Sequence, residues 1–205
     1  MRHFMLDLET RGNTPGCHIL SIGLIAFDPL AADIDEVFAD DGFYTVVSKE
    51  SCHEALLHID QSTMDWWGRQ STSAREVLAH SEGENAVPLH EALIAAVDYT
   101  AQHVPPRNAL IWGNGADFDN PILTVAARMV RSQLPWVRGI ESPNLPWQWG
   151  NRCYRTIKNL GEIFGPEWAA PPVTRSGTYH NALDDAKTQA LHMWDICTRL
   201  AKKVR

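Results

Sequence analysis

Between His3 and Phe27 the hydrophobic pattern admits little besides a sheet. Phe4, Leu6 and Leu8 fall on one side of a period-two alternation and Met5, Asp7 and Glu9 on the other, while 19–27 is an almost continuous apolar run. Alternation sends successive side chains to opposite faces of a strand, and an unbroken apolar run reads as a strand covered on both faces. Arg11-Gly-Asn-Thr-Pro-Gly16 between them is a turn, and Phe43-Tyr-Thr-Val-Val47 reads as a third strand. The chain opens as a meander of antiparallel strands.

From about residue 63 the period becomes helical. A short helix is expected over 63–70, and an amphipathic one over 88–102, with Leu89, Leu93, Ala96, Val97 and Thr100 on one face until Pro105-Pro106 ends it. A buried strand over 109–112 leads through Gly113-Asn114-Gly115 into a helix over 119–131, whose first turn accommodates Pro121 because the missing N–H costs nothing there. Residues 132–150 are irregular, 154–164 is helical up to Gly165-Pro166, and 166–179 is a Pro/Gly-rich loop. A last helix over 182–203 carries Ala182, Ala186, Ala190, Met193, Cys197 and Leu200 at helical spacing. Strands first, then helices with a further strand among them, make an α/β domain with a mixed sheet.

Composition removes whole classes. A chain of 205 residues buries a core without staples and is expected to be one domain, 1–205. No apolar run approaches a membrane span, and Met1-Arg2-His3-Phe4 runs into a strand rather than a secretion signal. Cys17, Cys52, Cys153 and Cys197 show neither a CxxC pair nor regular spacing. That excludes disulfide scaffolds and zinc fingers, and fits a reduced, cytoplasmic protein. The net charge of −7 discourages a polyanionic partner, yet its distribution is uneven. Residues 28–41 hold six acids and no base, whereas 128–158 hold Arg128, Arg131, Arg138, Arg152, Arg155 and Lys158 against Glu141 alone. Such a segment is either a solvated face or a local grip on phosphates.

Three acidic motifs carry the chemistry. Asp7 and Glu9 leave the same face of one strand, a costly arrangement unless a cation neutralises it or the strand lies at a solvated edge. An oxygen-only donor set suits Mg²⁺ or Mn²⁺. Gly113-Asn-Gly-Ala-Asp-Phe-Asp119 is a strand-to-helix turn, the place where α/β proteins put ligand groups. Asp117 and Asp119 compete there, and an N-cap is the ordinary role for Asp119. In His180-Asn-Ala-Leu-Asp-Asp185, Asn181 is placed as N-cap with Asp184 as its capping-box partner, leaving Asp185 free. His180 sits on the preceding loop, able to act as a general base.

In this order the motifs Asp7-Leu8-Glu9-Thr10, Asn114-Gly-Ala-Asp-Phe-Asp119 and His180-Asn-Ala-Leu-Asp-Asp185-Ala186 resemble those of the DEDDh 3′–5′ exonucleases of the RNase T and DnaQ-like superfamily. The resemblance spans residues 4 to about 190 and is most specific at the start of the last helix. Trp66-Trp67 with Gln70, and Arg152-Cys-Tyr-Arg-Thr156, are similar to segments of the small bacterial and phage branch that includes the exoribonuclease RNase AS. The resemblance implies an RNase H-like fold, with a mixed five-stranded sheet, its first three strands antiparallel, flanked by helices. It implies two divalent ions, Mg²⁺ or Mn²⁺, held by Asp7, Glu9, Asp119 and Asp185, with His180 as general base. Its aromatic-then-acid pattern selects Asp119 over Asp117.

The expected activity is metal-dependent 3′–5′ hydrolysis of single-stranded nucleic acid with a free 3′ end, releasing nucleoside 5′-monophosphates, RNA ahead of DNA. Two ions can activate a water and stabilise the leaving oxygen of an in-line displacement. Thr10, Trp67, Asn114 and Arg155 are expected at the substrate. Adjacent helical tryptophans point in different directions, so one of Trp66 and Trp67 can stack on a base while the other packs the core. Trp136, Trp147 and Trp149 are expected to pack the irregular segment or an oligomer contact, such as that of a homodimer. The alternative function is a nucleic-acid-binding or scaffold protein with a disabled site.

Overall fold

In the computed structural model, residues 1–138, 145–175 and 177–204 are described. Glu141 and the middle of the expected irregular stretch lie outside them. Strand β1 (His3–Thr10) pairs antiparallel with β2 (Ile19–Phe27), which pairs antiparallel with β3 (Phe43–Val46). Four helices follow, α1 (Lys49–Glu54), α2 (Gln61–Trp67), α3 (Thr72–His80) and α4 (Leu89–His103). They carry the chain to the far side of β1. There β4 (Leu110–Gly113) and, after α5 (Asp119–Met129), β5 (Asn151–Cys153) add in parallel. The order is β3-β2-β1-β4-β5, the mixed five-stranded sheet expected.

Helices cover both faces, which is why β2 is buried at every position. Phe4, Leu6 and Leu8 pack with Leu93 and Ala96 of α4 and Ile122 of α5. On the other face Met5, Ile25, Phe27 and Trp112 pack against Ala186, Ala190 and Met193 of the last helix. Before that helix come α6 (Tyr154–Lys158) and α7 (Leu160–Phe164), and α8 itself spans Ala182–Val204. Among the described residues no helix is long and apolar enough to cross a membrane, and all four cysteines are free.

One residue sets how closely α8 approaches the sheet. Gly23 lies opposite Asp7 in the β1–β2 ladder, and a Cβ there would stand 2.3 Å from the Ala182 carbonyl carbon. Glycine therefore lets the first turn of α8 rest on β2 and brings Asp185 over β1.

Several elements differ from expectation. The single helix over 154–164 is two short ones, broken at Asn159. α1 and α3 lie where no element was expected from the sequence, each capped by a serine hydroxyl (Ser48, Ser71) accepting a backbone N–H. Of the three tryptophans assigned to the irregular segment, Trp147 is buried and Trp136 packs on the core, but Trp149 is 86% exposed.

Candidate active site

β1 and α8 meet across the sheet face that carries Met5, Asp7 and Glu9. Asp185, in the first turn of α8, and Gln189, one turn later, lie over these acids, and Gln189 Nε2 donates to Asp7 Oδ1 at 2.7 Å. The β1–β2 register slips just after Glu9, an irregularity of the kind that ends regular pairing beside functional sites.

The second contribution comes from the β4–α5 turn. Asp119 is 1% exposed, with Oδ1 accepting the Leu8 N–H at 3.2 Å and Oδ2 the Asn114 N–H at 2.8 Å. A Cβ at Gly113 would come within 2.9 Å of that second oxygen, so a larger residue would push the carboxylate away. Asp117 is exposed. Of the two competing acids, Asp119 is the one brought to Asp7.

The third part is the loop before α8. Asn181 caps the helix, its Oδ1 accepting the Leu183 and Asp184 N–H groups. Asp184 departs from the expected capping box. It accepts the Thr178 N–H at 2.7 Å instead of the cap residue's own N–H, and so ties the loop rather than the cap. The turn places His180 at φ 61°, in the left-handed region that costs energy for a residue with a Cβ. Its Nδ1 lies 4.0 Å from Glu9 Oε1, and its ring meets Trp66 edge-on at 4.9 Å between centroids.

Electrostatics follow from this crowding. Burial raises the pKa of Asp7, helped by the charges of Asp119, Glu9 and Asp185. Burial pushes Glu9 up to about 8, with Asp185 and Asp119 adding to it. Asp119 is raised to about 6 by burial, against the pull of its backbone N–H donors. Asp185 is raised by burial, an effect opposed by its ion pair with Arg175. Burial lowers His180, so its imidazole is neutral near pH 7. Four acids from three separate elements thus lack sufficient cationic compensation, which is what oxygen ligands for a divalent cation look like before the cation arrives. Among the described residues, donor atoms of Glu9, His180 and Asp185 lie within 4.8 Å of one another. The donor set fits hard divalent ions.

A cleft of about 520 Å³ opens above these groups, lined by Asp7, Glu9, Trp66, Phe118, His180 and Asp185. Of the expected substrate residues, Thr10 and Trp67 line the cleft, with their polar atoms hydrogen-bonded inward. Trp67 is 1% exposed and donates its Nε1–H to the Thr10 carbonyl at 2.9 Å. The Thr10 hydroxyl donates to the Gly12 carbonyl. Trp66, half-buried, is the ring with surface left in the cleft. Arg155 is exposed and donates to the Asn114 carbonyl at 2.6 Å, fixing the β4–α5 turn at the rim. Asn114 serves through its backbone, while its buried Oδ1 has no hydrogen-bond partner among the described residues.

Two residues of the site were not read from the sequence. Gln189 had a usable signal, being four residues after Asp185 on the same helix. Arg175, which pairs with Asp185 and lies over the Tyr179 ring at 3.6 Å, comes from a loop without periodicity.

Over residues 2–197 the chain matches the model of the 3′–5′ exoribonuclease Rv2179c-like domain. It belongs to that family. An exodeoxyribonuclease of Enterobacteria phage T4 is 28% identical over 134 residues, which cover 64% of this chain and 58% of the phage protein. Among solved structures, the crystal structure of cell-death related nuclease 4 (CRN-4) superposes with a TM-score of 0.54 at 13% identity, over 98% of this chain and 64% of that one. The match thus spans less than two thirds of either relative. The likeness in structure shows the fold, the RNase H-like arrangement of a mixed sheet flanked by helices.

Proposed function

We propose that this chain is a metal-dependent 3′–5′ exonuclease that shortens single-stranded nucleic acid from its 3′ end and releases nucleoside 5′-monophosphates. The observation that carries it is the convergence of Asp7 and Glu9 from β1, Asp119 from α5 and Asp185 from α8, three segments far apart in sequence, into one cluster at the cleft where burial raises all four pKa values. A scaffold with a disabled site has no reason to keep so costly a cluster. These four residues are the holders of Mg²⁺ or Mn²⁺. Two such ions supply Lewis-acid stabilisation to the attacking and leaving oxygens of an in-line phosphodiester displacement.

The chain's own groups do the rest. Asp119 is fixed by two backbone N–H donors and Asp7 by Gln189, so both present oxygens without reorganising. His180, neutral and half-buried beside Glu9, accepts the proton of the attacking water at its free ring nitrogen. Trp66 offers an edge and part of a face for the terminal base, a contact worth roughly 1–3 kcal/mol and indifferent to sequence. The family's name points to RNA and that of the phage relative to DNA. RNA is placed first because the family match runs over 2–197 and the phage match over 134 residues.

Incubation of a labelled single-stranded RNA with Mn²⁺ tests this. Mononucleotides should accumulate, disappear on chelation, and be absent for Asp185→Asn with the fold retained. Release at a near-normal rate by that variant would refute the assignment.

A further inference from the structure

Away from the cleft, at the opposite end of β4 and β5, lies the most exposed tryptophan. Trp149 is 86% exposed, immediately before β5. It lines, with Arg2 and Arg107, a depression of about 470 Å³. Arg152, one residue into β5, is exposed and donates to the Trp149 carbonyl at 3.4 Å and the Asn151 carbonyl at 2.9 Å. These bonds use one nitrogen and leave the rest of the guanidinium to solvent. None of Arg2, Arg107 and Arg152 makes an ion pair with a described residue. In a protein of net charge −7, arginines without carboxylate partners beside an exposed indole combine a local positive potential with a free aromatic face.

The sheet connects this patch to the cleft. Gly113 pairs with Cys153, Trp112 with Arg152, and Ile111 with Asn151, while the Leu110 N–H donates to the Arg2 carbonyl. Arg155, just past the end of β5, holds the Asn114 carbonyl at the cleft rim. From the active site outward come Arg155, then Arg152 on the edge strand and Trp149 just before it, while Arg107 precedes β4 and Arg2 precedes β1, level with the far end of these ladders. From residue 114 to 109 along the β4 ladder is about 17 Å at about 3.3 Å per residue, the length of roughly five stacked nucleotides.

We propose that this edge is a second binding site, a track for the 5′-ward nucleotides of a single strand whose 3′ end occupies the cleft. Arg2, Arg107 and Arg152 contact phosphates, and Trp149 stacks on a base. The track gives the enzyme a footprint of several nucleotides without reading sequence. It is absent from short substrates, which end before reaching Trp149. Its use as a track for substrate rests on the exonuclease reading; its affinity for a single strand does not.

Binding in chelator separates the two. Fluorescence anisotropy of a 5′-fluorescein 12-mer RNA, with no divalent ion present, is measured for the unaltered chain, Trp149→Ala, Arg107→Gln and the double variant. Affinity of the unaltered chain should rise with strand length and level off near five to six nucleotides. Each single variant should weaken 12-mer binding about tenfold, and Arg107→Gln should lower the salt slope by about 0.7. Hydrolysis of a dinucleotide with Mn²⁺ should be unchanged in all of them. Equal 12-mer affinity in the double variant, or no length dependence in the unaltered chain, overturns the track. So does a Trp149→Ala chain that changes sedimentation from dimer to monomer while RNA binding stays constant, since the patch is then an interface between copies. Absence of any Mn²⁺-dependent hydrolysis alongside the expected anisotropy losses refutes the exonuclease reading and leaves a single-strand site.

Discussion

Asp119 carries a backbone N–H on each oxygen, whereas Asp185 is held by Arg175 and by the His180 backbone. The His180 ring has neither kind of anchor. It stands in a left-handed turn, 4.0 Å from Glu9 and against Trp66. His180→Ala should lower kcat by about 10²–10⁴ while divalent-ion affinity, measured by calorimetry without substrate, is largely kept. Loss of affinity as great as in Asp185→Asn would make His180 a ligand, a role its nearness to Glu9 and Asp185 also permits. The two tryptophans divide structure from recognition. Trp67→Ala should cost about 3–5 kcal/mol in urea unfolding, and Trp66→Ala should chiefly raise KM; the reverse pattern would exchange their roles. At this scale spacing gave Asp7 and Glu9 a common face, while the choice of Asp119 and the grouping with Asp185 and His180 came from the resemblance to the DEDDh motifs. Which of Trp66 and Trp67 keeps free surface was not legible, because adjacent residues differ only in which way they face. Where a register slip follows Glu9, sequence spacing no longer tells that.

The elements that position the cleft are the ones with strong periods: β1, β2, α4, α5 and α8 all lie within a few residues of where the pattern put them. β5 is three residues long and exposed at two of them, so it has no apolar signature of its own and exists through its ladder to β4. α1 and α3 bury few side chains and depend on caps. The split between α6 and α7 falls at Asn159, a residue that readily leaves the helix. At Gly23 the start of α8 lies against β2 with no room for a Cβ. Gly23→Ala should force that turn off β2, lowering Tm by several degrees and removing most activity through displacement of Asp185. Full activity and Tm in this variant would show that the helix has room to spare.

For the molecule as a whole, the cost of the cluster should be visible as a pH dependence. An acid whose pKa is raised on folding binds its proton more tightly in the folded state, so stability is present at low pH and is lost as pH rises through the folded value. Glu9 moves from 4.5 to about 8. Buried His18 moves the other way, from 6.5 to about 4, and stabilises the fold as pH rises to 6.5. Above 6.5 that opposing contribution is complete and Glu9 still titrates. In chelator, Tm should therefore fall between pH 6.5 and 8, and saturating Mn²⁺ should flatten the decline. A Tm that rises over this window without metal would mean the carboxylates are already compensated. The direction of attack is tested most directly by strand polarity. With Mn²⁺, a 5′-labelled single strand should shorten stepwise while keeping its label, a 3′-labelled one should lose its label first as a mononucleotide, and circular strands should survive. Cleavage of the circles, or early release of the 5′ label as a mononucleotide, would contradict 3′–5′ exonuclease action.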